Sequence, residues 1–125
     1  MLSNLLSKIG MAKQNLAISK LSTIDAYNKL NASDLVLIDV REPNEWLMEG
    51  SPEGAKRIAL QNTQFTDEVL SFVENNKDQA IAVCCRSGMR GDKAARLLLN
   101  SGFTDVMNVE GGFMKWRDEG LPIFL

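Results

Sequence analysis

The chain has 125 residues, of which 45% are hydrophobic and 24% charged, and its formal net charge is −2 at pH 7. This length suffices for one domain with a real core, and these proportions exclude a disordered, low-complexity or coiled-coil protein. The longest stretch without a charged residue, Ile58–Thr66, is far shorter than the roughly 18 apolar residues that a membrane-spanning helix needs. We therefore expect one globular domain without a membrane span.

Two residue types limit the chemistry further. The sequence has no histidine, which excludes Ser-His-Asp and Cys-His catalysis and every zinc site that needs a histidine ligand. Its two cysteines, Cys84 and Cys85, are too few for an all-cysteine site, so we expect no metal and no organic cofactor. Adjacent cysteines cannot join distant parts of a fold, which indicates a reducing, cytoplasmic location. The slightly acidic charge gives no reason to expect binding to nucleic acid.

Residues 1–17 are predicted to form an N-terminal amphipathic helix that precedes the main domain, residues 18–125. Leu2, Leu5, Leu6 and Ile9 recur there at helical spacing. Two alternatives remain open for this helix. It either docks on its own domain or binds a partner or a second copy of the chain.

Within residues 18–125, two nearly continuous apolar runs, Leu35–Val40 and Ala80–Cys84, predict strands that are buried on both faces. Such strands belong to parallel sheets covered by helices on each side. Shorter strands are predicted at Ile18–Leu21, Lys56–Ala59 and Val106–Val109. Helices are predicted from the capping box at Ser22 to about Leu30, then at Phe65–Asn75, Arg90–Asn100 and Phe113–Asp118. The alternation predicts an α/β domain with about five mostly parallel strands and helices on both faces.

Ligands of open parallel sheets bind outside the carboxyl ends of the strands. The segments Asp39–Arg41 and Cys85–Arg90 both follow predicted buried strands. They are therefore expected to lie at the same edge of the sheet. This fold argument places a candidate site there before any motif is considered.

The segment Cys85-Arg-Ser-Gly-Met-Arg90 joins a buried strand to the start of a helix. Backbone N–H groups of such a loop can turn inward to bind an anion, and the helix dipole adds positive potential. Gly88 allows a sharp bend, while Arg86 and Arg90 carry full charges close to Cys85. We expect Cys85 to be a thiolate nucleophile that needs no histidine.

Several motifs in the same order resemble the rhodanese-like sulfurtransferases, over about Ile18 to Pro122. The active-site loop of that family resembles Cys85–Arg90, with its residues Arg86, Ser87, Gly88, Met89 and Arg90. The other matching motifs are Ile38-Asp-Val-Arg41 with Glu45-Trp46, Gly54-Ala55, Gly102-Phe103, Val109–Trp116 and Gly120–Pro122.

The resemblance implies that Cys85 takes the outer sulfur of thiosulfate or another sulfane donor and becomes a persulfide. The sulfur then passes to cyanide, to a thiol or to a sulfur-accepting protein. Both steps need an accessible thiolate, N–H donors around the persulfide and cations that hold a small anionic donor. Arg86 and Arg90 are the candidates for donor binding. Asp39 and Arg41 are expected to order the facing loop, and Arg41 is a further candidate for reaching the pocket.

Two departures from the family pattern are visible. The segment Gly50–Ala55 has no histidine and carries its proline one place early, which puts the geometry of this loop in question. Gly91 stands where a serine often follows the loop arginine, and we interpret this change as weakening a helix cap. Neither departure affects Cys85.

Two other functions remain open. Counted from Cys84, the spacing to Arg90 is the five residues of a cysteine-dependent phosphatase or arsenate reductase, whereas the spacing from Cys85 is four residues. Since Cys84 ends the apolar strand, we expect its side chain to lie in the core, which favours the shorter loop and sulfane sulfur. The second alternative is a non-catalytic module for protein interaction or redox sensing.

Overall fold

The computed structural model describes residues 17–125. The predicted N-terminal helix lies outside these residues, except for its last position, and stays a prediction. Seven strands and five helices follow one another along the described chain. The strands are β1 (Ser19–Leu21), β2 (Val36–Asp39), β3 (Ser51–Pro52), β4 (Lys56–Arg57), β5 (Ile81–Cys84), β6 (Val106–Val109) and β7 (Ile123–Phe124). The helices are α1 (Thr23–Asn31), α2 (Pro43–Glu49), α3 (Phe65–Phe72), α4 (Met89–Asn100) and α5 (Gly112–Asp118).

Five of the strands form one parallel sheet in the order β1-β6-β5-β2-β4. The two strands predicted from apolar runs lie beside each other in the middle of this sheet, with Val36 opposite Ile81 and Asp39 opposite Cys84. The carboxyl ends of both strands therefore meet at one edge, as the sequence predicts. The α/β class and the five-stranded parallel sheet are confirmed.

Helices cover both faces of the sheet, and each face has its own apolar cluster. On one face, α3 and α4 pack their apolar side chains onto Ile38, Ile81 and Val83. On the other face, α1 and α5 pack onto Leu37, Ala82 and Cys84. Alternate residues of the same strand thus enter different clusters, because successive side chains of a strand point to opposite faces.

Three parts of the fold differ from the sequence prediction. Helix α2 was not predicted; it begins at Pro43 with a capping box between Glu42 and Glu45. Strands β3 and β7 were also not predicted, and they form a separate antiparallel pair. Helix α3 ends at Phe72 rather than near Asn75. Among residues 17–125, no helix has both the length and the apolar character needed to cross a membrane.

Candidate active site

The loop Cys85–Arg90 leaves the carboxyl end of β5 and closes around the sulfur of Cys85. The backbone N–H of Gly88 donates a hydrogen bond to Cys85 Sγ at 3.0 Å. Gly88 has a φ of 121°, a region that only glycine adopts easily, and it is the N-cap of helix α4. The loop therefore brings an N–H donor and the start of a helix to one sulfur atom.

Hydrogen bonds from outside the loop hold its carbonyl groups away from this sulfur. The N–H groups of Phe113 and Met114 donate to the carbonyl oxygens of Cys85 and Arg86, at 2.8 and 3.0 Å. The Asn108 side chain donates through Nδ2 to the Gly88 carbonyl at 2.7 Å. Because these carbonyls are held outward, the partial positive charge of the loop's N–H groups is left to act on the sulfur.

Helix α5 can anchor the loop this closely only because Gly112 has no side chain. A Cβ at Gly112 would lie 2.5 Å from the Cys85 carbonyl oxygen and 2.6 Å from that of Arg86. Its φ of 60° is a second reason for glycine at this position. The start of α5 thus fixes the backbone of Cys85.

The two cysteines have different environments. Cys84 packs in the cluster under α1 and α5, whereas Cys85 reaches the opposite cluster and the loop. Burial, followed by the nearby Asp39 carboxylate, raises the pKa of the Cys84 thiol well above its ordinary value. Cys84 thus stays a protonated core thiol, as predicted. Cys85 exposes only 1% of its surface, so it is more enclosed than the sequence indicates.

Both loop arginines form ion pairs with helix α2. Arg90 forms two hydrogen bonds with the Glu45 carboxylate, at 2.5 and 2.9 Å. Arg86 contacts Glu49 Oε1 at 2.5 Å, and the other oxygen of Glu49 accepts from Arg117 at 3.0 Å. Carboxylates from a distant segment therefore partly neutralise the positive charge of Arg86 and Arg90 beside Cys85.

The bidentate contact with Arg90, together with a backbone hydrogen bond from Glu42, lowers the pKa of Glu45 to about 2 despite partial burial. The same pair raises the pKa of Arg90 above its ordinary value. Glu45 is therefore ionised throughout the neutral pH range. Its charge is a permanent part of the site.

This ion pair leads to a prediction about acid stability. Because the pKa of Glu45 is lower in the folded state, its contribution to stability is complete above about pH 4.5 and is lost as the pH falls toward about 2. We expect a contribution of about 2 kcal/mol at neutral pH, since partial exposure weakens the pair. Urea denaturation of the wild type and Glu45→Gln should show this difference at pH 7. A difference that does not shrink toward pH 2 would contradict the assignment.

Asp39 and Arg41 form a buried ion pair. The Arg41 Nη2 and Nε atoms donate to the Asp39 carboxylate at 2.9 and 3.1 Å, and Nη2 also donates to the carbonyl of Gly50. Arg41 also contacts Glu49 at 3.2 Å. The Arg41 side chain has no exposed surface, and the expectation that it reaches the pocket stays a prediction. Its contacts join β2 to the carboxyl end of α2.

A cavity of about 320 Å³ lies beside the loop. Ser87, Gly88 and Met89 line it together with residues of β6 and its flanks, but Cys85 is not among its lining residues. The Met89 side chain is 85% exposed. Across residues 17–125, no group of three or more metal-ligating side chains comes together.

Comparison with known protein families identifies the family of this chain. The family model of the rhodanese-like domain matches residues 22–119. The chain belongs to the rhodanese-like family.

Two relatives illustrate the range of proteins with this domain. The chain is 32% identical to the thiosulfate sulfurtransferase GlpE of Pseudoalteromonas translucida over 102 residues, which cover 82% of this chain and 91% of that protein. It is 33% identical to the tRNA uridine(34) hydroxylase of Acinetobacter baylyi over 91 residues, 72% of this chain. These residues span only 29% of the hydroxylase, so the similarity concerns one part of that larger protein.

Solved structures with the same fold have different descriptions. A polysulfide-sulfur transferase homodimer from Wolinella succinogenes superposes with a TM-score of 0.71 at 28% identity, covering 98% of this chain and 88% of that one. A protein of unknown function from Rhodopseudomonas palustris, described as a possible tyrosine phosphatase, also gives 0.71 at 29% identity, covering 94% and 92%. The shared fold thus accompanies both sulfur-transfer and phosphatase descriptions.

Three residues of this rhodanese-like site were not predicted to take part in it. Glu45 was noticed only as part of a family motif, and its pairing with the loop arginine, 45 residues away, leaves no local signal. Glu49 pairs across 37 residues in the same way. Asn108 lies on β6 and reaches the loop across the sheet edge, so only the strand order reveals it.

Proposed function

We propose that this rhodanese-like domain is a sulfurtransferase in which Cys85 carries the transferred sulfur as a persulfide. The observation that supports this most directly is the Gly88 N–H at 3.0 Å from Cys85 Sγ, in a loop whose carbonyls are held outward. Such a loop stabilises negative charge on the sulfur and on a second sulfur attached to it. We place the activity in the cytoplasm, because a free, reactive cysteine suits a reducing compartment.

In the first step the Cys85 thiolate attacks the outer sulfur of thiosulfate or of another sulfane donor. A bond forms between the two sulfur atoms, and the bond to the rest of the donor breaks. The leaving group departs as sulfite, or as the corresponding sulfinate or thiolate, with the electron pair of the broken bond. The N–H groups of the loop hold the anionic persulfide that remains.

In the second step a nucleophilic acceptor attacks the terminal sulfur of the persulfide. With cyanide the product is thiocyanate, and with a thiolate the product is a new persulfide on the acceptor. Cys85 returns to a thiolate, and the loop hydrogen bonds that held it before the first step hold it again. No metal or organic cofactor takes part in either step.

The short loop of Cys85 favours sulfane sulfur over phosphate. Four residues separate Cys85 from Arg90, fewer than the five of a cysteine-dependent phosphatase. A single outer sulfur can enter such a loop end-on, whereas a phosphate tetrahedron needs N–H donors on several sides. The alternative nucleophile, Cys84, is buried in the opposite cluster.

The test is the intact mass of the protein after reduction, incubation with thiosulfate and removal of excess donor. We expect wild type and Cys84→Ser to gain the mass of one sulfur atom, and Cys85→Ser to gain none. Cyanide should reverse the gain and release thiocyanate. Cys84→Ser is the matched control, because it makes the same atomic change one residue away.

Two results would overturn this proposal. Phosphatase activity that Cys84→Ser abolishes and Cys85→Ser retains would identify the five-residue spacing as the functional one. Failure of Cys85 to accept sulfur from thiosulfate, polysulfide and an organic persulfide would indicate a non-catalytic interaction module.

A further inference from the structure

We infer that Glu45 and Glu49 tune this site toward singly charged organic sulfane donors and against doubly charged thiosulfate. The inference rests on the proposed sulfurtransferase function and concerns the donor class that the same site prefers. It follows from the charges that face the loop, from their geometry and from the surface beside them.

The first step is the charge balance at the loop. Four guanidiniums contact the two carboxylates of α2, those of Arg41, Arg86, Arg90 and Arg117. Glu45 is bound by Arg90 through both oxygens, and Glu49 is shared between Arg86 and Arg117. The fourth guanidinium, Arg41, is balanced by the buried Asp39. Asp118 also lies 3.9 Å from Arg117, so four carboxylates face these four guanidiniums. Little net positive charge is left to hold a doubly charged donor.

The second step is that these carboxylates are built into the site. Besides its two bonds to Arg90, Glu45 Oε1 accepts a hydrogen bond from the Glu42 N–H at 3.0 Å as part of the α2 capping box. The Glu49 carboxylate also contacts the fully buried Arg41. Neither carboxylate can therefore leave its arginine without breaking contacts that hold helix α2. A dianionic donor consequently meets guanidiniums whose charge is already engaged.

The third step is an apolar side chain on the loop itself. Met89 directly precedes Arg90, lines the cavity beside the loop and is 85% exposed. A flexible, polarisable methionine side chain there suits an organic group better than an inorganic ion. Both observations favour the same class of donor.

The experiment compares two donors that deliver the same outer sulfur. Thiosulfate carries two negative charges and releases sulfite, whereas methanethiosulfonate carries one and releases methanesulfinate. The KM of each donor is measured with cyanide as acceptor at low ionic strength, because salt screens the charges under test. Formation of the Cys85 persulfide from each donor is first verified by intact mass.

The main variant is Glu45→Gln, which removes the charge but keeps the oxygen that accepts from the Glu42 N–H. We expect it to lower the KM for thiosulfate about fivefold more than the KM for methanethiosulfonate, because thiosulfate has one additional charge to interact with the released Arg90. Glu49→Gln is the independent second variant, since it releases Arg86 instead. Circular dichroism verifies that each variant is folded at the assay temperature.

The matched control is Glu74→Gln, which removes the same charge at the opposite end of the sheet. Glu74 lies near the start of β2, beside Val36 and Val73, whereas the loop follows the end of β5. The control should leave the ratio of the two KM values unchanged.

The results separate this inference from the proposed function. If neither donor forms a persulfide on Cys85, and polysulfide and an organic persulfide also form none, both are overturned. If the persulfide forms but both folded α2 variants leave the KM ratio unchanged, or raise the KM for thiosulfate, only the inference is overturned. A selective fall in the KM for thiosulfate with either variant, absent in the control, supports it.

Discussion

Replacement of Arg41 by methionine is expected to lower the free energy of unfolding by about 4 kcal/mol, because it breaks a buried ion pair and leaves one charge without its partner. The remaining Asp39 is fully buried and would lose the three side-chain hydrogen bonds that Arg41 donates to it. The carbonyl of Gly50 would lose its donor as well. Urea denaturation followed by circular dichroism measures the change.

A double-mutant cycle tests whether the lost stability comes from the stranded charge. Asp39→Asn with Arg41→Met removes both charges, and the amide oxygen can still accept from the Arg41 backbone N–H, which now contacts Asp39 Oδ1 at 3.0 Å. We expect this double variant to be more stable than the sum of the single changes predicts, by about 2 kcal/mol. Strictly additive changes would show that the pair acts only through packing, for instance through the Phe113 ring 4.0 Å from the guanidinium carbon.

The central sheet could be predicted because local sequence determines it. The runs that form β2 and β5 are apolar at nearly every position, and the structure buries all of β5 and three of four residues of β2. Such runs need two covered faces, and parallel strands with intervening helices provide them. The position of Cys85 at the end of β5 follows from the same pattern.

Helix α2 could not be predicted in this way because it has no buried residue and therefore shows no apolar periodicity. Its seven residues are held by the capping box, by Pro43 at its start and by ion pairs to the loop arginines. The pair β3 and β7 has two residues in each strand. Its pairing depends on where the chain returns after α5, so a local pattern cannot show it.

The candidate site likewise combines residues that the local sequence reveals with residues that only the fold brings together. Residues of the loop itself are adjacent in the sequence, and their types indicate the chemistry. The carboxylates that moderate the loop arginines come from a segment that the fold, rather than the sequence, brings to them. The sequence of the loop, with Arg86 and Arg90 close to Cys85, therefore suggests a higher positive potential at Cys85 than the fold provides.

The interpretation of Gly91 as a weakened helix cap is wrong. Helix α4 begins at Met89 with Gly88 as its N-cap, so residue 91 lies inside the first turn. What requires glycine there is Asn108 on β6. A Cβ at residue 91 would lie 2.0 Å from Asn108 Oδ1 and 2.7 Å from its Cγ.

Substitution of Gly91 by alanine is therefore expected to destabilise the domain by about 2 kcal/mol, from overpacking and the loss of buried hydrogen bonds. This result is notable because glycine to alanine inside a helix otherwise stabilises by about 1 kcal/mol. The displaced Asn108 would lose its bonds to the Gly88 carbonyl and to Asp92, at 2.7 and 2.9 Å. Since Gly88 holds the Cys85 sulfur, we also expect about tenfold slower persulfide formation, as for a 1.4 kcal/mol loss of stabilisation in the reacting state.

The decisive comparison is Gly91→Ala alone, Asn108→Ala alone and the two together. The double variant has room for the new methyl group, so its stability should exceed the sum of the single changes. Its persulfide formation should stay slow, because the Gly88 carbonyl remains without the Asn108 donor. Recovery of stability without recovery of rate identifies Asn108 as a residue that positions the loop. Recovery of both stability and rate would show that Asn108 acts only by filling space. Recovery of neither would show that the effect of Gly91→Ala does not arise from its contact with Asn108.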